Sequence, residues 1–167
     1  MRSLLLNNLV IVLSLAGTPM VAQQQRPAEH PVRFWATGGL GVGTEGFATV
    51  IGLDVAIRQH LISVRSAAVE SIFHDRFWDL ALLYGRAGRW RRGMAGGSIG
   101  VAFVDGERCS LVAACVPVSA RISLPGAARA AWHPFPALGV GIYGFLNINS
   151  EQTFAGAVLA VELGRLR

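Results

Sequence analysis

The sequence contains no lysine, only two cysteines and few charged residues, and these shortages limit the classes of protein to which it can belong. All 15 basic residues are arginines, and charged residues make up 15% of the 167 positions, against about a quarter in a soluble domain. Hydrophobic residues nevertheless reach 52%, with a mean hydropathy of +0.45. Beyond the first twenty residues, no apolar run approaches the roughly 18 residues of a transmembrane helix. An apolar chain without apolar runs predicts alternating strands in a bilayer.

The N-terminal stretch predicts an export signal. Arg2 precedes an apolar segment at 4–17, and small residues then lead into three glutamines. We expect a signal peptide at 1–22 that is cleaved after Ala22, a polar leader at 23–32 and one β-barrel domain at 33–167. An uncleaved membrane anchor is the alternative interpretation of the same segment.

Alternation of apolar and small or polar residues recurs through the rest of the chain. In FATVIGLDVAIR (47–58), branched apolar residues occupy one parity, and small or charged residues occupy the other, as in a lipid-facing strand. Similar segments lie at 33–43, 60–71, 76–87, 94–104, 120–133, 137–148 and 153–166. Eight strands are the smallest even number that closes a membrane barrel. The predicted fold is therefore an all-β, eight-stranded antiparallel up-and-down transmembrane β-barrel.

The connections fall into two classes, which predict the orientation of the barrel. Compact turns are expected near residue 59, over 85–90 and over 133–136, and the longer loops lie at the opposite end. In outer-membrane barrels the short turns face the periplasm. Aromatic residues at the strand ends predict two interfacial girdles, one of Trp35, Trp90, Trp132 and Phe135 and the other of Phe47, Phe73, Trp78, Phe103 and Phe154. Asn147 and Asn149 are expected where the seventh strand leaves the membrane, and Pro125 predicts a bulge in the sixth.

Five charged residues fall on the inward parity of the predicted strands: Asp54, Arg65, Asp79, Arg129 and Glu162. A relay or an ion-selective ring would use such charges. An eight-stranded barrel is, however, only wide enough for its own side chains, and buried charges must pair. We therefore expect a plug of arginine–carboxylate pairs in the lumen.

Arginines also cluster in GRAGRWRRG (85–93), as Arg86, Arg89, Arg91 and Arg92. The cluster is compatible with a nucleic-acid patch, but at a membrane surface the same residues hold lipid phosphates. We expect a basic membrane interface and no nucleic-acid partner.

The two cysteines, Cys109 and Cys115, lie in the longest predicted loop. In an exported chain such a close pair predicts a disulfide, with free thiols as the alternative. No histidine or third cysteine lies at ligand spacing, so no metal or other cofactor is expected.

Two further motifs carry weaker chemical signals. The spacing G-x-G-x-x-G occurs at Gly41, Gly43 and Gly46 and again at 139–144, but it lies in alternating segments without the helix that a dinucleotide site requires. Ser71, His74 and Asp75 could form a catalytic group of a lipid-modifying enzyme. Grouping within one loop is a weak criterion, and we expect no enzymatic activity.

The run FPALGVGIYGFLNINSEQTFAGAVLAVELGRLR (135–167) resembles the C-terminal hairpin of small, poorly characterised Gram-negative outer-membrane β-barrel proteins, and LLYGR (82–86) resembles them as well. These proteins are similar in architecture to the eight-stranded relatives of outer membrane protein A. The resemblance implies an outer-membrane location and no known catalytic residues. The sequence departs from many such barrels by ending in Arg167 instead of an aromatic residue.

The expected function is a monomeric outer-membrane barrel with a plugged lumen and a structural or interaction role in the cell envelope. Membrane lipids are its expected partners, with lipopolysaccharide or an envelope protein as further candidates. A secreted soluble barrel that binds a lipid or other apolar ligand is the alternative, because Tyr143, Phe145 and Phe154 lie on the inward parity. A membrane barrel requires an apolar outer face and a small or polar interior, whereas a ligand carrier requires the reverse.

Overall fold

The chain forms a closed antiparallel barrel in a computed structural model that describes residues 32–71, 76–108, 116–150 and 153–166. The strands are β1 (Arg33–Gly43), β2 (Gly46–Ile57), β3 (His60–Ser71), β4 (Arg76–Trp90), β5 (Gly93–Arg108), β6 (Val116–Phe135), β7 (Leu138–Ile148) and β8 (Phe154–Arg165). Each strand pairs with the next, and β1 pairs with β8. The predicted fold class is confirmed. The predicted signal peptide and both cysteines lie outside the described residues.

Side chains alternate between the barrel interior and its outer surface. In β2, Asp54 and Ala56 are buried, whereas Ile51 and Leu53 are 71% and 65% exposed. Period-two alternation is what a single sheet with two different faces produces. Here the exposed face is the apolar one, so the barrel is built in the opposite sense to a soluble domain.

Two of the predicted turns are wrong in position. The segment 85–90 belongs to β4 and the connection is Arg91–Arg92, while β6 continues through 133–135 to a turn at Pro136–Ala137. The turn near residue 59 is confirmed at Arg58–Gln59, where Arg58 has the positive φ of 56° that tight hairpins favour. These three turns and both chain ends of the described barrel lie at one end, here called the terminal end; the opposite end is the loop end.

The predicted bulge at Pro125 is also misplaced. Pro125 keeps its register opposite Asn147. The irregularity between β5 and β6 lies instead at Val104–Gly106, close to the loop end. Since proline only removes a donor, a strand can pass it without an extra residue.

Aromatic residues do not all join the expected girdles. Trp90, Trp132 and Phe135 are exposed at the terminal end, and Phe47, Trp78 and Phe103 are exposed near the loop end. Trp35 and Phe154, in contrast, are 2% and 0% exposed and fill the lumen, because both lie on the inward parity. Phe73 lies outside the described residues.

Interior glycines make room for two of the buried rings, those of Phe145 and His133. A Cβ atom on Gly156 would lie 2.6 Å from Cζ of Phe145, and one on Gly139 would lie 2.8 Å from Cδ2 of His133. These rings therefore fit in the narrow lumen because the neighbouring residue on the adjacent strand has no side chain. Within the described part of the chain, no helix is long and apolar enough to cross a membrane.

Candidate functional site

The five charged residues predicted for the interior all lie there, and all are buried. Asp54 comes from β2, Arg65 from β3, Asp79 from β4, Arg129 from β6 and Glu162 from β8. The inward parity of five different strands thus brings together residues that are far apart in sequence. They form two groups, one on each side of Tyr143 and Phe145 along β7.

The first group, here called the Arg129 cluster, lies toward the terminal end. Arg129 donates to Asp54 at 2.6 Å, and its other terminal nitrogen lies 3.7 Å from Glu162. Asp54 also accepts hydrogen bonds from the hydroxyls of Thr37 and Ser63. One carboxylate with three donors is well satisfied, which offsets the cost of burying it away from water.

His133 extends the Arg129 cluster along β6 toward the terminal end of the barrel. Its Nε2 lies 3.1 Å from a carboxylate oxygen of Glu162. The sequence predicts a turn here, whereas the side chain is 3% exposed and faces the lumen. His133 has the same parity as Arg129, and this is the sequence signal that predicts an inward side chain.

The second group, here called the Asp79 cluster, lies toward the loop end. Asp79 accepts from Arg65, from the backbone N–H of Ala67 at 3.0 Å and from the side-chain amide of Asn147 at 2.8 Å. Arg65 donates further to the carbonyl of Gly126 at 3.3 Å. Asn147 is fully buried and lies one residue before the end of β7, so its amide faces the lumen at the loop end of the strand.

Aromatic rings separate and cover the charges. The guanidinium carbon of Arg129 lies 4.8 Å from the ring centre of Tyr143 and 5.8 Å from that of Trp35. That of Arg65 lies 5.5 Å from the ring centre of Phe145. Such cation–π contacts stabilise a cation that has lost its water. Together the rings and charges occupy successive levels of the lumen.

The four arginines predicted for a membrane interface have different placements. Arg86 is exposed on the outer face of β4, and Arg91 and Arg92 are exposed in the turn that follows. Arg89 turns inward, where it donates to the carbonyl of Leu166 at 3.4 Å. Its guanidinium carbon also lies 5.8 Å from the ring centre of Trp35, so Arg89 helps to close the terminal end of the lumen.

The arrangement provides structural ion pairs, and the weaker chemical motifs gain no support from it. Gly41 and Gly43 lie within β1, and Gly139 lies within β7, so the two glycine motifs lack the strand-to-helix turn of a nucleotide site. Ser71 ends β3, while His74 and Asp75 lie outside the described residues. Among the residues that the structure describes, no three His, Cys, Asp or Glu side chains are grouped to hold a metal ion.

Solved structures share this closed barrel. Ail, the attachment invasion locus protein of Yersinia pestis, superposes with a TM-score of 0.58 at 10% identity, covering 82% of this chain and 99% of its own. The chain has the fold of the small outer-membrane barrels. Neisserial surface protein A gives 0.56 at 10% identity, with 79% and 94% covered. The N-terminal β-barrel domain of Pseudomonas aeruginosa OprF gives 0.56 at 11%, with 80% and 96% covered.

The predicted architectural resemblance is thereby confirmed at the level of the fold. No family model matches the sequence, and no curated protein matches it. Identities near 10% show a common architecture and leave the function to be argued from this chain's own residues.

Proposed function

We propose that the protein is a monomeric, non-enzymatic outer-membrane β-barrel with a plugged lumen and a structural or interaction role in the envelope. The observation that carries this proposal is the apolar belt, by which we mean the exposed large hydrophobic residues on the outer face of all eight strands. Leu40, Leu159 and Ile142, for example, are cross-strand neighbours on β1, β8 and β7 and are 60–72% exposed. A soluble protein rarely exposes so extended an apolar surface.

The ends of the barrel support one orientation in the membrane. Exposed aromatic residues flank the apolar belt at both ends, as membrane–water interfaces favour. The tight turns at the terminal end correspond to the periplasmic turns of outer-membrane barrels. We therefore place the terminal end in the periplasm and the loop end outside. Export through a cleaved signal peptide at 1–22 is part of this proposal.

The plug is proposed from the filling of the lumen. The Arg129 cluster and the Asp79 cluster pair every carboxylate that the structure places inside the barrel with an arginine. Trp35 and Phe154 fill the lumen near its two ends. In planar bilayers we expect little conductance from the native protein. A steady, selective pore would contradict the plug.

A variant with two shortened side chains gives the matching positive control. Phe145→Ala removes the ring beside the Asp79 cluster, and Arg129→Ala removes the guanidinium of the Arg129 cluster itself, so the folded double variant should conduct measurably more than the native protein. Heat-modifiable mobility in detergent would verify that the variant still forms a barrel.

Interaction with partners is proposed for the loop end. A Cys109–Cys115 disulfide would constrain the long loop there, and mass spectrometry of non-reduced peptides tests that pairing. Lipopolysaccharide or an envelope protein is the candidate partner outside, and membrane lipids surround the belt. One solved structure of the same fold is that of Yersinia pestis Ail in a phospholipid bilayer nanodisc, which superposes with a TM-score of 0.54 at 9% identity.

The secreted carrier is the competing function, and the two faces of the barrel oppose it. A carrier needs an apolar lumen and a polar outer surface. Here Asp54, Arg65 and Glu162 are buried inside, and the outer face is apolar.

Fractionation tests the proposal directly. The native protein should sediment with outer membranes, remain there after a carbonate wash and migrate faster before boiling than after it. Recovery in the soluble periplasmic fraction would overturn the membrane assignment and favour the carrier.

A further inference from the structure

An outward-facing group at the terminal end contains three polar side chains on two strands. His60 is the first residue of β3, directly after the Arg58–Gln59 turn. Its direct cross-strand partner is Arg86 on β4. Tyr84, two residues before Arg86, lies on the same outer face and is 55% exposed. We call His60, Tyr84 and Arg86 the interfacial triad.

A hydrogen bond and ring stacking fix the histidine of the interfacial triad. Nδ1 of His60 lies 2.6 Å from the hydroxyl oxygen of Tyr84, and the two rings stack with their centres 5.9 Å apart. When the phenol donates to Nδ1, the imidazole carries its proton on Nε2. That nitrogen is then a donor on a ring whose orientation is already set.

The surroundings leave the donors of the triad open toward the membrane interface. Gly97 is the direct cross-strand partner of Arg86 on β5, so the residue opposite Arg86 adds no side chain beside it. Ile62 and Ile99 lie toward the middle of the barrel and are 45% and 68% exposed. The triad thus lies where the apolar belt meets the basic turns.

No acid of the described residues neutralises this group from outside. The carboxylates near the terminal end, Asp54 and Glu162, are buried in the lumen and bound to Arg129. The exposed carboxylates that the structure describes lie near the loop end. A guanidinium and an N–H donor at an interface, without a carboxylate of their own, favour a phosphate oxygen.

We propose that the interfacial triad is a binding site for the phosphate group of an anionic glycerophospholipid in the leaflet at the terminal end. Arg86 and Nε2 of His60 would donate to the phosphate oxygens, Tyr84 would hold the imidazole, and the acyl chains would lie along the apolar belt. The inference rests on the proposed membrane location, since only a bilayer brings a headgroup to this height. It goes further by assigning a specific site and lipid class.

Native mass spectrometry of the folded barrel in detergent micelles tests the site. Dioleoylphosphatidylglycerol and dioleoylphosphatidylcholine are titrated separately, and the ratio of their affinities is the measured preference. The native protein should prefer phosphatidylglycerol. Arg86→Gln should lower that preference about fivefold, as expected for one basic residue near an anionic lipid. His60→Leu and Tyr84→Phe should each lower the affinity for phosphatidylglycerol itself about threefold, the size of one hydrogen bond.

Arg165→Gln is the matched control, because Arg165 is an exposed arginine at the same end of the barrel, on β8, outside the triad and outside the predicted basic interface. It should leave the preference nearly unchanged. An equal loss in Arg165→Gln and Arg86→Gln would mean diffuse attraction by the whole basic end and would overturn the site. Inorganic phosphate at constant ionic strength should not displace the lipid; displacement would overturn the lipid assignment in favour of a free anion.

The two proposals can fail separately. A heat-modifiable barrel that sediments with membranes but shows no lipid preference would overturn the interfacial triad and leave the proposed function standing. A soluble protein would overturn the proposed function itself.

Discussion

Arg129 and Asp54 form an ion pair at 2.6 Å across the lumen, although 75 positions separate them in the chain. Arg129 lies on β6 and Asp54 on β2, and these strands are not neighbours in the sheet. The pair therefore links opposite walls of the barrel through its interior. Backbone hydrogen bonds connect only adjacent strands, so links of this kind determine how rigidly the cross-section is held.

Replacement of Arg129 by methionine should strongly destabilise the barrel. The change leaves Asp54 and Glu162 buried without their guanidinium partner, and breaking a buried ion pair costs about 3–5 kcal/mol. Urea unfolding in detergent micelles, followed by tryptophan fluorescence, measures the loss. Adding Asp54→Asn should recover part of it. Arg92→Gln, in an exposed turn, should change the free energy of unfolding by less than about 0.5 kcal/mol.

Replacement of Gly156 by valine should overpack the lumen. Its Cβ would lie 2.6 Å from the Phe145 ring, and overpacking typically costs about 1–3 kcal/mol. Phe145→Ala in the same chain should relieve the clash. Gly38→Ala is the control on the outer face of β1, where no atom lies within 4 Å of the added carbon. Equal effects of the two glycine substitutions in urea unfolding would contradict the packing described for the lumen.

Replacement of Leu159 by arginine should distinguish the membrane barrel from a soluble one. Leu159 is 72% exposed near the middle of β8, and an arginine at the bilayer midplane costs about 2–4 kcal/mol. The same substitution at Ile148, the last residue of β7, should cost less than about 1 kcal/mol because it lies near the interface. Refolding into lipid vesicles across a urea series measures both. A Leu159→Arg variant as stable as the native protein would contradict lipid exposure of this face.

Replacement of Asn147 by aspartate should destabilise the barrel more than removal of the amide alone. The native amide donates to Asp79 at 2.8 Å, so the variant would hold two carboxylates in contact. A buried charge without its own partner costs more than one lost hydrogen bond, which is worth about 0.5–1.5 kcal/mol. Asn147→Leu removes the donor without adding charge and should lose less stability than Asn147→Asp. Urea unfolding in detergent micelles compares the two variants, and equal losses would contradict the contact with Asp79.

Strand positions were predictable because a barrel imposes one simple rule on the sequence. Period-two alternation predicts β1 and β3 with the bounds that the structure has. The same rule predicts that Asp54, Arg65 and Glu162 face inward. A one-residue shift would turn every inward charge to the apolar outer face of the barrel, so the alternation fixes the register strongly.

The positions that were wrong share a different cause. Residues such as those of 85–90 suggest a turn by composition, yet pairing with β5 extends β4 to Trp90. His133 was assigned by composition to a turn, whereas it lies on the inward parity of β6 and is buried in the lumen. Which inward residues contact each other depends on the shear of the closed sheet, and a single sequence does not contain that quantity explicitly.

The pairing of β1 with β8 also has a kinetic consequence. The last ladder to complete the barrel joins its first and last strands, so it forms only after nearly the whole domain has been delivered. Contacts of such long sequence separation slow folding. Until they form, an open sheet exposes two reactive edges and an apolar face to water. We therefore expect the exported chain to depend on a periplasmic holding chaperone during the interval before closure.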